Sequence, residues 1–400
     1  MYRKTLNAKD AKKQQTQRAQ TRFFLFASIA NLPLRLRRLI LLSCALALVV
    51  DVAVGQWKTQ ESGTSADFRG VSVVSSSVAW ASGSKGTYAR TTDGGATWRA
   101  SVVAGAEALD FRDVQAVDAR TAYLLSAGEP ARLYKTTDGG AHWTLQYTNA
   151  AKGVFFDGMA FWDATHGIAV SDPVAGSFLI IRTMDGGATW KEVPRASIPP
   201  PLAGEAAFAA SGTCIAVQGR DHVWFGTGGG AVSRVFRSTD KGQTWKVSAT
   251  PIKSGNDSSG IFSLAFKDAR RGVAVGGDYK KTDEASDNVA RTTDGGATWT
   301  QGGRSQPPGL KEAAAYVPGT NAPTLIVVGP SGSGYSLDDG QTWALIDTNG
   351  YHSASFAAPF DAGWAVGAGG RIARYAGPAP DMPKMPGRGG NVRKPSGRGH

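Results

Sequence analysis

The stretch TTDGGATW runs from Thr91 to Trp98 and returns letter for letter from Thr292 to Trp299. Four relatives join it: TTDGGAHW from Thr136, TMDGGATW from Thr183, STDKGQTW from Ser238 and SLDDGQTW from Ser336. Their aspartates, Asp93, Asp138, Asp185, Asp240, Asp294 and Asp338, lie 45, 47, 55, 54 and 44 residues apart. A repeat of about 50 residues without helical patterning predicts a β-propeller.

A second repeated element counts the blades independently. Short apolar strands recur as VAWASG (Val78), AYLLSAG (Ala122), GIAVSD (Gly167), CIAVQG (Cys214), GVAVGG (Gly272), LIVVGP (Leu325) and GWAVGAG (Gly363). Strands apolar on both faces and bounded by turn residues suit the middle of a blade packed between two others. Seven such strands face only six octapeptides, because the last unit stops at GRIARYAG while an orphan QWKTQESG at Gln56 precedes the first. The expected fold is therefore all-β, a seven-bladed propeller over residues 56–376 whose last blade is completed by the N-terminal strand. Trp57 then stands in register with Trp98, Trp143, Trp190, Trp245, Trp299 and Trp343, and closure of the ring removes exposed sheet edges.

The octapeptide reads as a hairpin between the third and fourth strands of a blade. Asp93 can accept hydrogen bonds from the Thr91 hydroxyl and from turn amides, Gly94 and Gly95 allow positive φ, and Trp98 fills the gap between blades. Nothing here requires a substrate, so all six aspartates are assigned to scaffold. The basic residues before the turns, Arg90, Lys135, Arg182, Arg237, Arg291 and Arg374, read as a solvated strand position, with a ring of charge as the functional alternative.

The octapeptide resembles the Asp-box, or BNR repeat, of sialidases, sortilin-type receptors and photosystem II stability and assembly factors. Together with GIAVSDP and GVAVGGD, the chain looks most like the last of these. That resemblance implies an exported, chaperone-like propeller that holds a membrane-protein partner through a basic patch.

Charge agrees with a folded domain that does not bind nucleic acid. The net charge of +12 resides in the ends: residues 1–55 carry ten Lys/Arg and two acids, residues 377–400 five and one, leaving 29 of each sign between them. Basic residues up to Arg38, the run LILLSCALALVV from Leu39 and the small residues Ala53 to Gly55 predict a signal peptide over 1–55, with an uncleaved anchor as the alternative. The Pro/Gly-rich basic segment 377–400 is expected to be disordered. The expected location is periplasmic or extracellular. Cys214 alone would remain after cleavage, which excludes an internal disulfide, and its apolar setting predicts a buried thiol.

Function in a propeller is expected at the mouth of the central channel, on residues that do not repeat. Aligning the innermost strands places Arg69, Arg112, Asp157, Glu205, Glu312 and His352 at their entrances. Arg69 and Arg112 are candidates for the basic patch. The leading reading is a monomeric, non-catalytic scaffold with a protein partner and with no cofactor, metal or nucleic acid. A glycoside hydrolase is the alternative, with Asp157 and Glu205 as an acid and nucleophile pair, although the Arg-Ile-Pro segment usual in sialidases does not occur. An oxidoreductase has less support, lacking a dinucleotide fingerprint, a cysteine pair or a histidine cluster. The acidic insert Gly276 to Asn288 offers oxygen ligands but reads as a surface loop.

Overall fold

The computed structural model describes residues 57–285, 287–358 and 362–376; the expectations for 1–55 and 377–400 lie outside them. Twenty-eight strands form seven antiparallel four-stranded sheets, and the only helix among the described residues is the 3-10 turn Arg195–Ser197. In the first blade the order from inside outward is Phe68–Val73, Ala79–Gly83, Thr87–Thr91 and Arg99–Val102. Its second strand is buried at every position, while the fourth is mostly exposed. One face of the second strand carries the small residues Ala79, Ala81 and Gly83 and the other the wholly buried Trp80 beside Ser82, so both faces pack against neighbouring blades, while the fourth strand meets solvent.

The ring closes as the tryptophan count requires. Trp57–Gln60 pairs with Ile372–Tyr375, Trp57 opposite Tyr375 and Gln60 opposite Ile372. The seam between last and first blades is a continuous core in which Phe68, Ala81 and Trp98 pack with Trp364, Val366 and Ile372. Gln60 fastens it, its Oε1 accepting from the indoles of Trp98 at 2.9 Å and Trp364 at 2.8 Å.

In the fourth blade the structure departs from the expected strand count. CIAVQG is not its middle strand: Ile215–Gln218 is innermost, and His222–Gly226 takes the middle place. The cause is an insertion before Cys214 that displaces the repeat, followed by a hairpin so short that two strands read as one.

The Asp-box turns are hydrogen-bonded scaffolds. Asp93 Oδ1 accepts from the Thr91 hydroxyl and the Thr97 amide, both at 2.9 Å, and Oδ2 accepts from the Thr97 hydroxyl at 2.6 Å. Thr91 Oγ1 accepts in turn from the Gly95 amide at 2.8 Å. These bonds hold the Asp93 carboxyl down to about 2, because they favour its charged form. Asp138, Asp185, Asp240, Asp294 and Asp338 repeat the arrangement.

Gly94 and Gly95 have φ of 73° and 82°, but two turns place Lys241 (58°) and Asp339 (56°) where the others have the first glycine. Left-handed backbone costs an L-residue about 1–2 kcal/mol, partly offset by the entropy glycine loses on folding. Lys241→Gly is therefore expected to raise stability by about 0.5–1 kcal/mol, read as a higher urea midpoint at unchanged slope.

Four of the six repeated cations are clasps between blades rather than solvated side chains. Arg90 Nη1 donates to Ala119 O of the next blade at 2.7 Å, and Lys135 Nζ to Gly186 O, in the next Asp-box turn, at 2.7 Å. Arg291 donates to Asp339 O, and Arg374 reaches across the closing seam to Ser76 O at 3.4 Å. Arg182 feels the carboxylate of Asp240 in the next turn, whereas Arg237 makes no such bond. Three of the aliphatic stems also place the charge over an aromatic ring of their own blade: Arg90 over Trp80, Lys135 over Tyr123 and Arg374 over Trp364.

Candidate binding site at the channel mouth

Four innermost strands begin with a β-bulge. Register slips between Phe68 and Gly70, Phe111 and Asp113, Phe156 and Gly158, and Ile261 and Ser263. The extra residue in each case, Arg69, Arg112, Asp157 or Phe262, is re-aimed by the kink. Three of these were candidates from the sequence, and the bulge is why one structural position can carry such different side chains.

Arg69, Arg112 and Glu312 line a cavity of about 580 Å³ with Asp172, Phe155, Phe208, Phe262 and Tyr279. Arg112 Nε is paired with Asp110 at 2.7 Å, and its Nη1 donates to Ala209 O at 3.1 Å. Arg69 is partly buried and has no carboxylate within ion-pair distance among the described residues. Burial and the neighbouring Arg112 both pull its pKa down. His352 lies behind this pair: its Nδ1 stands 3.3 Å from Arg69 Nη1 and also touches a Glu312 carboxyl oxygen. One tautomer accepts from the arginine and the other donates to the carboxylate.

Two candidates are elsewhere. Asp157 is 0% exposed beneath the cavity, and its carboxyl oxygens make no well-formed hydrogen bond. Desolvation, then the nearby Asp172, pushes its pKa well up. Glu205 is not at a strand entrance, since the innermost strand of its blade begins at Ile215. Its side chain is wholly buried and forked with Arg234, and also accepts from the Thr227 hydroxyl at 2.6 Å and the Leu202 amide at 2.7 Å. Glu205 is a staple for the insertion that displaced it.

That insertion was not foreseen and shapes the site. Its segment 206–213 enters the channel mouth: the Ala207 amide donates to Asp172 Oδ1 at 2.9 Å, Ser211 Oγ to Glu312 O at 2.8 Å, and Ser353 Oγ to Ser211 O at 3.3 Å. Bonds to three blades from one short loop fix the cavity floor. Phe208 lies flat on Phe262, ring centroids 4.3 Å apart, with Tyr279 edge-on to both. The 55-residue interval between Asp185 and Asp240 was the signal in the sequence.

Two further acids were also missed. Asp113 is 3% exposed, accepts from the Met159 amide at 2.8 Å, and is pushed up to about 8 by desolvation. Asp172 is pushed up to about 6 for the same reason. Cys214 is buried, as expected, and its thiol is held protonated by burial and by these acids.

Seven blades closed by an N-terminal strand, with six Asp-box turns, make this chain a BNR-repeat β-propeller. Residues 49–153 match the family model of photosynthesis system II assembly factor YCF48. Two YCF48 structures share the fold. One, described as YCF48 bound to D1 peptide, is 18% identical with a TM-score of 0.56, covering 80% of this chain and 97% of that one. The other, from Cyanidioschyzon merolae, is 15% identical with a TM-score of 0.57, covering 80% and 98%. A GH74 xyloglucanase from Xanthomonas campestris is also similar, at 16% identity and a TM-score of 0.54, and the chain spans 53% of its length. No curated protein matches the chain.

Proposed function

We propose that the chain is a protein-binding propeller, an assembly scaffold of the cell envelope that holds an acidic segment of a membrane-protein partner at the channel mouth. The observation that carries this is Arg69, a partly buried guanidinium without a carboxylate partner beside a second arginine and an open cavity. A carboxylate supplied by a partner would relieve the repulsion between the two cations and form charge-assisted bonds in a low-dielectric site. The D1 peptide bound to one of the similar YCF48 structures supports a protein as ligand. The apolar run Leu39 to Val50 behind a basic stretch supports the envelope.

Glycoside hydrolysis is the second reading, favoured by the xyloglucanase-like fold. It needs two carboxyls flanking a sugar, and Asp157 and Glu205 are both buried away from solvent. The two readings separate in one assay set. An acetylated and amidated octapeptide rich in glutamate is expected to bind the wild type and to lose at least about tenfold in affinity with Arg69→Glu and Arg112→Glu together, and with added salt. Turnover of xyloglucan or a sialoside by the unmodified chain, with no peptide binding, would overturn the scaffold reading.

A further inference from the structure

The mouth cavity has two unlike walls. On one stand Arg69 and Arg112; on the other, Phe208 and Phe262 stack at 4.3 Å and 7° between planes. Tyr279 completes this wall at 6.2 Å from Phe208 and 6.5 Å from Phe262, and is 47% exposed. These rings are not part of the packing between blades. Phe208 and Phe262 form a small separate cluster with Ala210 and Leu310, Phe208 and Ala210 coming from the inserted loop and Phe262 from the innermost strand of the fifth blade, and both rings line the cavity with Tyr279. A face of aromatic surface left on a cavity wall favours another ring edge-on or offset.

The two walls meet at one point. Arg112 Nη1 donates to the carbonyl of Ala209, the residue next to Phe208. A carboxylate on the arginines and a side chain on the aromatic wall would thus be close neighbours. In an extended peptide the side chains that share a face are i and i+2, about 6.6–6.8 Å apart.

Resting on the protein-binding reading above, we propose that the cavity recognises an extended segment in which an acidic side chain is followed two residues later by an aromatic one. The arginines take the carboxylate and the Phe208, Phe262 and Tyr279 wall takes the ring. Charge provides the register and the ring the selectivity, since an arginine pair alone accepts any acidic chain.

The test uses the full chain and three capped octapeptides alike except at the centre: Glu-Ser-Phe, Glu-Ser-Ala and Gln-Ser-Phe, titrated by fluorescence anisotropy. Glu-Ser-Phe is expected to bind about five- to tenfold tighter than Glu-Ser-Ala, the scale of one aromatic contact, and tighter still than Gln-Ser-Phe. Phe208→Ala should reduce Glu-Ser-Phe to the level of Glu-Ser-Ala and leave Glu-Ser-Ala unchanged. Tyr279→Ala, on the exposed rim where folding is not at stake, should weaken only the Phe peptide. Equal binding of the Phe and Ala peptides would overturn this inference while leaving the arginine reading intact. Failure of all three peptides to bind would overturn both. A free C-terminal carboxylate that binds while the capped Glu-Ser-Phe does not would place recognition at a chain end and also overturn the inference.

Discussion

Trp57→Ala is expected to cost about 3–5 kcal/mol of folding free energy, the range for removing a buried large aromatic. The indole is 8% exposed and lies 5.6 Å from Tyr351, 6.3 Å from Phe356 and 5.2 Å from Tyr375. Its Nε1 donates to Ser333 at 2.9 Å, and Ser333 in turn donates to Asp347 at 2.8 Å, so one residue ties the closing strand to the sixth blade as well as the seventh. The closing strand is only four residues long, and little else would hold it if the indole were removed. Loss of the strand exposes the edge of Ile372–Tyr375, which adds aggregation to instability. Trp343→Ala, at a partly exposed indole away from the seam, provides the comparison and is expected to cost less. Equal losses in urea denaturation would mean that closure has no special weight.

The second large effect is on pH. Asp113 has a folded-state pKa of about 8 and Asp172 of about 6, against about 3.9 in an unfolded chain. Below about pH 4 both states carry the protons. Between about pH 4 and 8 the unfolded chain ionises while the folded one retains the Asp113 proton, so folding takes up protons and stability falls as pH rises. The Asp-box carboxylates act in the opposite sense: Asp93, Asp185 and Asp294 sit at about 2, and the stability they contribute is lost only in strong acid. The melting temperature is therefore expected to rise from pH 8 to about pH 5 and to fall below about pH 4. Asp113→Asn keeps an acceptor for the Met159 amide and removes the titration. It should flatten the slope above pH 5 and raise stability at pH 8 by about 1 kcal/mol or more, since a tenfold difference in proton affinity between folded and unfolded chains is worth about 1.4 kcal/mol. A wild-type melting curve that is level from pH 5 to 8 would count against the buried, protonated Asp113.

Blade number and ring closure were legible in the sequence because they depend on residues that repeat. Each Asp-box repeats a hydrogen-bond circuit, and Trp57 repeats the tryptophan without the circuit. The innermost-strand alignment put Arg69, Arg112 and Asp157 in equivalent positions, and the structure has a bulge at each, with phenylalanine preceding it in all three blades. It failed at Glu205 because an insertion has no repeat to be aligned with, and its course is set by partners distant in sequence such as Arg234 and Asp172. Burial was equally hidden. Asp157 and Arg112 hold equivalent places on neighbouring innermost strands, yet one is wholly covered and the other lines the cavity. The cations before the turns were visible as a series, but their partners lie one blade onward, a relation that spacing along a single chain does not express.

That onward reach gives the ring a direction. Arg90 serves the second blade, Lys135 the third, Arg291 the sixth, and Arg374 returns to the first. The sixth blade has Tyr335 at the corresponding place, and the seventh, built from two distant segments of the chain, has no Asp-box turn to receive a charge. The missing donor faces the missing acceptor. The links run one way, and the hydrogen-bonded ones join the first blade to the second, the second to the third, the fifth to the sixth and the seventh to the first. At the composite blade the sixth blade offers no cation and the seventh no Asp-box turn, so the place of closure is marked in the side chains of this propeller as well as in its strands.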